Sequence, residues 1–313
     1  MKKIFWVFAG ALLLSNLFLS TGCGEDTTDP VNELAPVVSI TDGPTPESLV
    51  GGGKVTVAVN AIKGTKALKS LTVYQGTSKV SIDDLKIDGS LAAANPVLIV
   101  NPTDNMTWVL EITVGETAGT VAYTVEVADE GGKSDEASFD VTVETAIEKT
   151  ITGATIKLWN AGGPVGTGGI DLEDGSSTGT RLHTASGDDS YLKAELRDMG
   201  IDSLAGSGDN WRRRIGGING TVVRKVNTSS PDFDFSKIAS KEAVLAVYNA
   251  AADLTETLPN WGTFKVSAEV QEGDVFAVFK SSGSVYYLVK VEAITETTTL
   301  GNNEDNYRVT IKY

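Results

Sequence analysis

Cys23 is the only cysteine among the 313 residues, so the chain cannot form an internal disulfide. It must hold together by burying apolar side chains and pairing its backbone. The distribution of apolar residues therefore decides what it can become. Lys54–Val59 alternates strictly, with Val55, Val57 and Val59 on one face. Val37–Ile40, Leu71–Tyr74, Pro96–Val100, Trp108–Ile112, Val121–Val127 and Ala137–Val143 are further short runs rich in β-branched and aromatic residues. Turn residues separate them, and the chain carries 33 glycines. This spacing predicts a mainly all-β chain, with a sandwich over residues 36–145.

The first 23 residues have a different character. Lys2 and Lys3 precede an apolar run, Ile4–Leu19, broken only by Gly10, Ser15 and Asn16. The run is shorter than the ~20 residues a helix needs to cross a bilayer. The small residues Ser20, Thr21 and Gly22 then lead to Cys23. Charge, apolar stretch and small residues in that order describe a secretory signal peptide over residues 1–22. Leu19–Cys23 resembles the lipobox of bacterial lipoproteins, in the looser form of the Bacteroidota, with Ser20 where an aliphatic residue is usual. The resemblance implies cleavage before Cys23 and lipidation of its thiol, palmitate included. Stable anchoring takes more than one acyl chain.

Residues 23–35 form a flexible acidic tether with Glu25, Asp26, Asp29, Pro30 and Glu33. Acidic residues just after the cysteine resemble the Bacteroidota export signal, which implies an outer-membrane protein exposed on the cell surface. Asp26-Thr27-Thr28 is similar to a short O-glycosylation motif of that phylum.

The chain holds 41 Asp and Glu against 26 Lys and Arg, for a net charge of −15. Such a surface is a poor match for nucleic acid. The length suggests two domains at ~100–200 residues each, and the pattern changes near Glu144–Thr152. Tyr123-x-Val125-x-Val127-x-Asp129, then Gly131 and Val141-x-Val143, is similar to the last strands of bacterial immunoglobulin-like repeats. That resemblance implies a disulfide-free immunoglobulin-like spacer, with Tyr123 at a tyrosine corner.

Residues 151–313 read as a β-rich domain with one helix. Ser240 can cap a helix over Lys241–Ala251, whose stripe is Val244, Leu245, Val247, Tyr248 and Ala251. Tyr191–Leu196 fits either a helix or an edge strand. Phe264–Val266, Val275–Phe279, Val285–Ala293 and Tyr307–Tyr313 read as strands. Asp171-Leu172-x-x-Gly175, Trp211–Arg214, Phe233–Ile238 and Gly273–Lys280 are similar to uncharacterised surface lipoproteins of the Bacteroidota.

His183 is the only histidine. No Gly-x-Ser-x-Gly elbow accompanies it, and further His or Cys ligands for zinc are missing. Part of the C-terminal pattern is similar to haem-capturing lipoproteins, whose haem is held by a histidine pair; here that pair is absent, and Met199 would have to serve instead. Asp171, Glu173 and Asp174, or Asp188 with Asp189, offer oxygens to calcium, but their spacing does not match an EF-hand. They read as solvated acidic turns, so no metal site and no cofactor is assigned.

Trp211-Arg212-Arg213-Arg214 is the one basic cluster. On a strand, Arg212 and Arg214 would point one way and Arg213 the other. The four residues could stack on and grip an anion or a glycan carboxylate; internal ion pairing is the competing reading. Trp159, Trp261, Tyr286 and Tyr287 form an aromatic set that fits either a sugar platform or a core. The sequence thus predicts a lipid-anchored, non-enzymatic binding or adhesion module whose partner is a glycan or another surface protein. A polysaccharide-acting enzyme and a structural surface-layer component are the alternatives.

Overall fold

A computed structural model describes residues 33–180, 189–205, 210–259, 262–297 and 300–313. Cys23, His183, Asp188 and Trp261 lie outside the described residues. The protein is mainly β, with one α-helix.

Eleven strands form the first half: β1 (Val37–Thr45), β2 (Ser48–Val50), β3 (Lys54–Ile62), β4 (Leu68–Gln75), β5 (Ser78–Lys79), β6 (Leu85–Ile87), β7 (Ser90–Leu91), β8 (Val97–Leu98), β9 (Asn105–Thr113), β10 (Gly119–Asp129) and β11 (Ser134–Glu144). One sheet runs β1-β3-β9-β6-β7 and the other β2-β11-β10-β4-β5, with β8 against β4. Taking β1, β3, β9 and β6 as strands A, B, E and D, and β4, β10 and β11 as C, F and G, gives the immunoglobulin arrangement. β2 pairs in parallel with β11 along the edge of the second sheet.

The alternation does what it predicts. Val55, Val57 and Val59 of β3 face Val125 and Val127 of β10 and Val141 and Val143 of β11 in one buried cluster. Each such side chain is worth about 1.5–3 kcal/mol when removed from water. Valine therefore fills a core that has no disulfide. Of Pro96–Val100, Val97 and Leu98 pair with β4 and Ile99 N donates to Lys69 O at 2.8 Å; Pro96 has no N–H to donate, so the pairing starts after it.

Tyr123 departs from expectation. It is fully buried and stacks on Phe139, with ring centroids 5.4 Å apart. Its hydroxyl has no hydrogen-bond partner among the described residues. The tyrosine-corner hydrogen bond is therefore not made.

The second half contains β12 (Thr150–Ile151), β13 (Lys157–Trp159), β14 (Gly169–Ile170), β15 (Ser177–Thr178), β16 (Leu196–Asp198), β17 (Ile215–Gly217), β18 (Val222–Lys225), β19 (Ala252–Asp253), β20 (Val275–Lys280), β21 (Val285–Thr295) and β22 (Asn306–Lys312), with helix α1 (Lys241–Ala250). A large sheet runs β12-β22-β21-β20-β18-β19, with β13 also on β22; a small one runs β15-β14-β16-β17.

The large sheet is covered on both faces. Val275, Ala277 and Leu288 pack with Val244 and Tyr248 of α1. Phe276, Val278, Tyr287 and Val289 pack with Ile170, Leu196 and Ile215 of the small sheet. Burial on two sides explains why Val275–Phe279 reads as an unbroken apolar run rather than an alternation.

Helix α1 starts where Ser240 Oγ accepts the Ala243 amide at 3.1 Å. Of its predicted stripe, Val244 and Tyr248 are buried and Leu245 is exposed. Tyr191–Leu196 resolves into a short 3-10 turn, Ser190–Lys193, leading to β16. Phe264–Val266 is not a strand; Val266 makes only isolated bridges to Gly216 and Glu256. Among the described residues no helix is long and apolar enough to cross a membrane.

Candidate functional site

The Trp211–Arg214 segment runs between two backbone tracks. Arg212 N donates to Gly200 O at 3.0 Å on one side, and Arg213 O accepts the Val270 amide at 2.8 Å on the other. Arg213 has φ of 49°, a left-handed conformation that branched-at-Cβ or bulky residues seldom adopt. The segment is thus not a strand until Ile215, and strict alternation of the arginines does not apply.

Trp211 turns inward. It is 6% exposed, its indole N–H donates to Asp198 Oδ2 at 2.9 Å, and its ring lies 4.6 Å from that of Tyr307. A ring in that position has no open face for stacking, which corrects the expectation of a Trp211 platform.

The arginines follow it as straps. Arg212 Nη1 donates to Met199 O at 3.1 Å. Arg213 reaches Val270 O at 2.9 Å, Glu269 at 3.2 Å and Glu296 at 3.4 Å. Arg214 donates to Ser267 O at 2.9 Å and lies 3.8 Å from Glu256. Their charges are spent on neighbouring carbonyls and carboxylates.

Behind this segment sits a buried carboxyl. Asp198 accepts the amides of Ala161 at 2.9 Å and Gly200 at 2.7 Å as well as the Trp211 N–H. Burial pushes its pKa up to about 7 against the pull of these donors. The same burial, then the Asp198 charge, raises the Tyr307 hydroxyl well above its ordinary value.

A second cluster joins the two sheets. Lys280 Nζ lies 2.8 Å from Glu195 Oε1 and 2.7 Å from Glu173 Oε1. Glu195 Oε2 accepts the Leu172 amide at 2.7 Å. Burial raises Glu195, opposed by the Leu172 amide and Lys280. For Lys280, burial acts downward, but the two carboxylates outweigh it and hold the ammonium above its usual range. Such an ion triad joins Glu173 and Glu195 to β20 across the interlayer gap.

The acidic turn is built for itself. Asp171 Oδ1 accepts the Glu173 amide at 2.9 Å, and Asp174 Oδ1 accepts the Ser176 amide at 2.8 Å. Among the described residues, no group of three or more His, Cys, Asp or Glu is placed to hold a metal ion. Asp189 precedes the Ser190–Lys193 turn without capping it.

The aromatic set does not converge. Tyr287 is fully buried between the sheets, Tyr286 packs against Tyr248 and Phe279 on the helix side, and Trp159 lies under Lys157.

What the sequence does not signal is an open cup on the outer face of the small sheet. Its volume is about 470 Å³, and it is lined by Leu192, Arg197, Phe264 and the turn Gly217–Thr221. In β16, Leu196 and Asp198 face inward, so Arg197 between them faces out. Its guanidinium lies 4.5 Å from the Phe264 ring centroid. Phe264 can come so close because Arg197 pairs with a glycine, Gly216; a Cβ there would sit 2.8 Å from the Phe264 ring. Asn219 fixes the rim, donating to Tyr191 O at 2.7 Å and Ala194 O at 2.9 Å. Only the glycine pair Gly216-Gly217 and the turn Asn219-Gly220 could have hinted at it in the sequence.

No family model matches this sequence, and no curated protein matches it. Among solved structures, a conjugative transposon lipoprotein from Bacteroides eggerthii is similar to 34% of this chain over 95% of its own length, at 19% identity and TM-score 0.26. A lipoprotein from Bacteroides thetaiotaomicron is similar to 39% of this chain over 89% of its own, at 15% identity and TM-score 0.26. The SrpA adhesin of Streptococcus sanguinis is similar to 62% of this chain over 88% of its own, at 11% identity and TM-score 0.28. Likenesses this distant carry no ligand or activity across.

Proposed function

We propose that the protein is a lipid-anchored surface binding module of the bacterial outer membrane. Cys23 carries the acyl chains, the acidic tether gives reach, and the immunoglobulin-like sandwich acts as spacer for the contact surface in residues 151–313. The observation behind the contact surface is the cup at Arg197 and Phe264. It is an open depression lined, among the described residues, by Arg197 and the apolar side chains of Leu192, Ile218 and Phe264, a mix that ligand sites commonly show.

Two measurements test this. Metabolic palmitate labelling should be present in the native chain and absent in Cys23→Ala; labelling that survives the substitution overturns the anchor. The mature chain should bind a component of a glycan or surface-protein panel without releasing product. Product release from a polysaccharide favours an enzyme, and neither outcome favours a structural surface-layer component.

A further inference from the structure

The passage from β11 into β12 leaves no residue unheld. Glu144, the last residue of β11, pairs with Val50 and accepts the Ser48 hydroxyl at 2.5 Å. Thr145, directly after it, is already tied to the second half. Its amide and its hydroxyl each donate to the Glu242 carboxylate at 2.9 Å, and its carbonyl accepts the Lys241 amide at 2.8 Å. Ala146 bridges to Ser240, and the Ile147 amide donates to Ala239 O at 3.0 Å. The Ile147 side chain packs on the cluster under α1. Glu148 and Lys149 both donate their amides to Tyr313 O, and Lys149 O accepts the Tyr313 amide. β12 begins at Thr150.

A hinge needs residues whose φ and ψ are free to change. Here the backbone between the two halves is paired at every step, and freeing it would break hydrogen bonds. The Glu242 carboxylate anchors this strap. Its two oxygens meet the amide and the hydroxyl of one residue, and a charged acceptor makes the stronger bond. Burial works to raise the carboxyl, but its own amide and the two Thr145 donors outweigh that effect and hold it below its ordinary range. It also sits in the first turn of α1, where the helix dipole favours a negative charge.

The other attachment lies at the opposite end of the sandwich. Lys66 Nζ lies 3.2 Å from Glu33 Oε1, Lys133 Nζ donates to Glu33 O, and the Leu34 amide donates to Thr65 Oγ1 at 2.8 Å. Lys133 stands immediately before β11, whereas the strap starts immediately after it. The 11 residues of β11, at ~3.3 Å each, set the two attachments about 35 Å apart.

We propose that the strap of residues 145–149 is a rigid coupling, clamped by Glu242, that fuses the sandwich and the second half into one body. The second half is thereby held at a fixed orientation beyond the far end of β11. Orienting it against the sandwich then costs no further entropy when a partner arrives. The coupling is independent of any ligand, so it stands or falls apart from the binding-module reading.

The test uses the mature full-length chain with Cys23→Ser, so that introduced labels are the only thiols. Ser90, Glu130 and Ser281 are exposed. Spin labels at Ser90→Cys and Ser281→Cys report across the junction; Ser90→Cys with Glu130→Cys reports within the sandwich. Pulsed dipolar spectroscopy should give one narrow distance distribution for each pair. Six Gly and Ser residues inserted between Glu144 and Thr145 add a coil whose ends lie ~13 Å apart, and should broaden the first distribution alone. Glu242→Ala should broaden it as well, and the Thr145 amide should exchange about tenfold or more faster, as expected for losing a bond to a charged acceptor. Glu242→Gln, which keeps an acceptor for one of the two donors, should fall between. Circular dichroism and an unchanged Ser90–Glu130 distance check that each variant is folded. A distribution as broad across the native junction as in the insertion variant overturns the coupling. An unchanged width in Glu242→Ala overturns Glu242 as its clamp.

Discussion

Trp211 donates its indole N–H to Asp198 Oδ2 across 2.9 Å, inside a core where both side chains are nearly closed off from solvent. The bond ties the arginine-rich segment to β16, the strand that also carries Arg197. The position of Arg197 at the cup thus depends on a buried polar contact behind it.

That contact predicts a pH dependence. The unfolded chain ionises this carboxyl at an ordinary 3.8, whereas the folded chain keeps its proton until about 7. Between these values the folded state binds more protons, so stability falls as pH rises. The contribution is full below pH 4 and is lost on passing 7. A shift of this size corresponds to something on the order of 4 kcal/mol. Asp171 and Glu195 are raised in the same sense. Urea midpoints from pH 4.5 to 8 should therefore decline, and Asp198→Asn should flatten the decline without abolishing it. An unchanged slope in Asp198→Asn would show that this carboxyl ionises normally.

Removing Lys280 should be costly. Lys280→Met leaves Glu195, whose side chain is 2% exposed, without its cation. Stranding a buried charge typically costs about 3–5 kcal/mol. Lys280→Met with Glu195→Leu should recover much of the loss, because the pair is then replaced by apolar packing. Denaturation of the single and double variants measures the coupling; additive losses would mean the two side chains do not interact.

The sequence made the strands of the sandwich readable because each buries one face, as Val55, Val57 and Val59 do. It also placed α1 through Ser240 and its apolar spacing. The functional surface was harder. Trp211 beside three arginines has the composition of a binding loop, and only its partners Asp198 and Tyr307 reveal a core wedge. Arg197 meets Phe264 from 67 positions away, and no local spacing encodes such a meeting. The Lys280 triad escaped for the same reason: Glu173, Glu195 and Lys280 share no pattern along the chain.

Tyr123→Phe should be tolerated or mildly stabilising. The Tyr123 hydroxyl is buried without a partner among the described residues, and an unmade hydrogen bond of that kind costs about 1–3 kcal/mol. Phenylalanine keeps the stack on Phe139 and drops the polar atom. A thermal melt of the variant is the check. Marked destabilisation would mean that the hydroxyl has a partner after all.

A fragment of residues 36–145 should melt cooperatively by itself. Its buried cluster, from Val38 to Val143, draws on no residue of the second half. At the junction, Thr145 N donates to Glu242 Oε2 at 2.9 Å, and the apolar contact there comes from Ile147, beyond the fragment. A disordered fragment by circular dichroism would place the boundary elsewhere.

The position of β22 has a consequence for how the protein is made. It pairs with β21 on one side and with β12 and β13 on the other, joining Lys312 to Thr150 and Arg308 to Lys157. During synthesis those early strands must wait for a partner encoded far downstream. Closing so long a loop is slow. The large sheet of the second half therefore closes only after β22 has been made, and β12 and β13 gain their partner last.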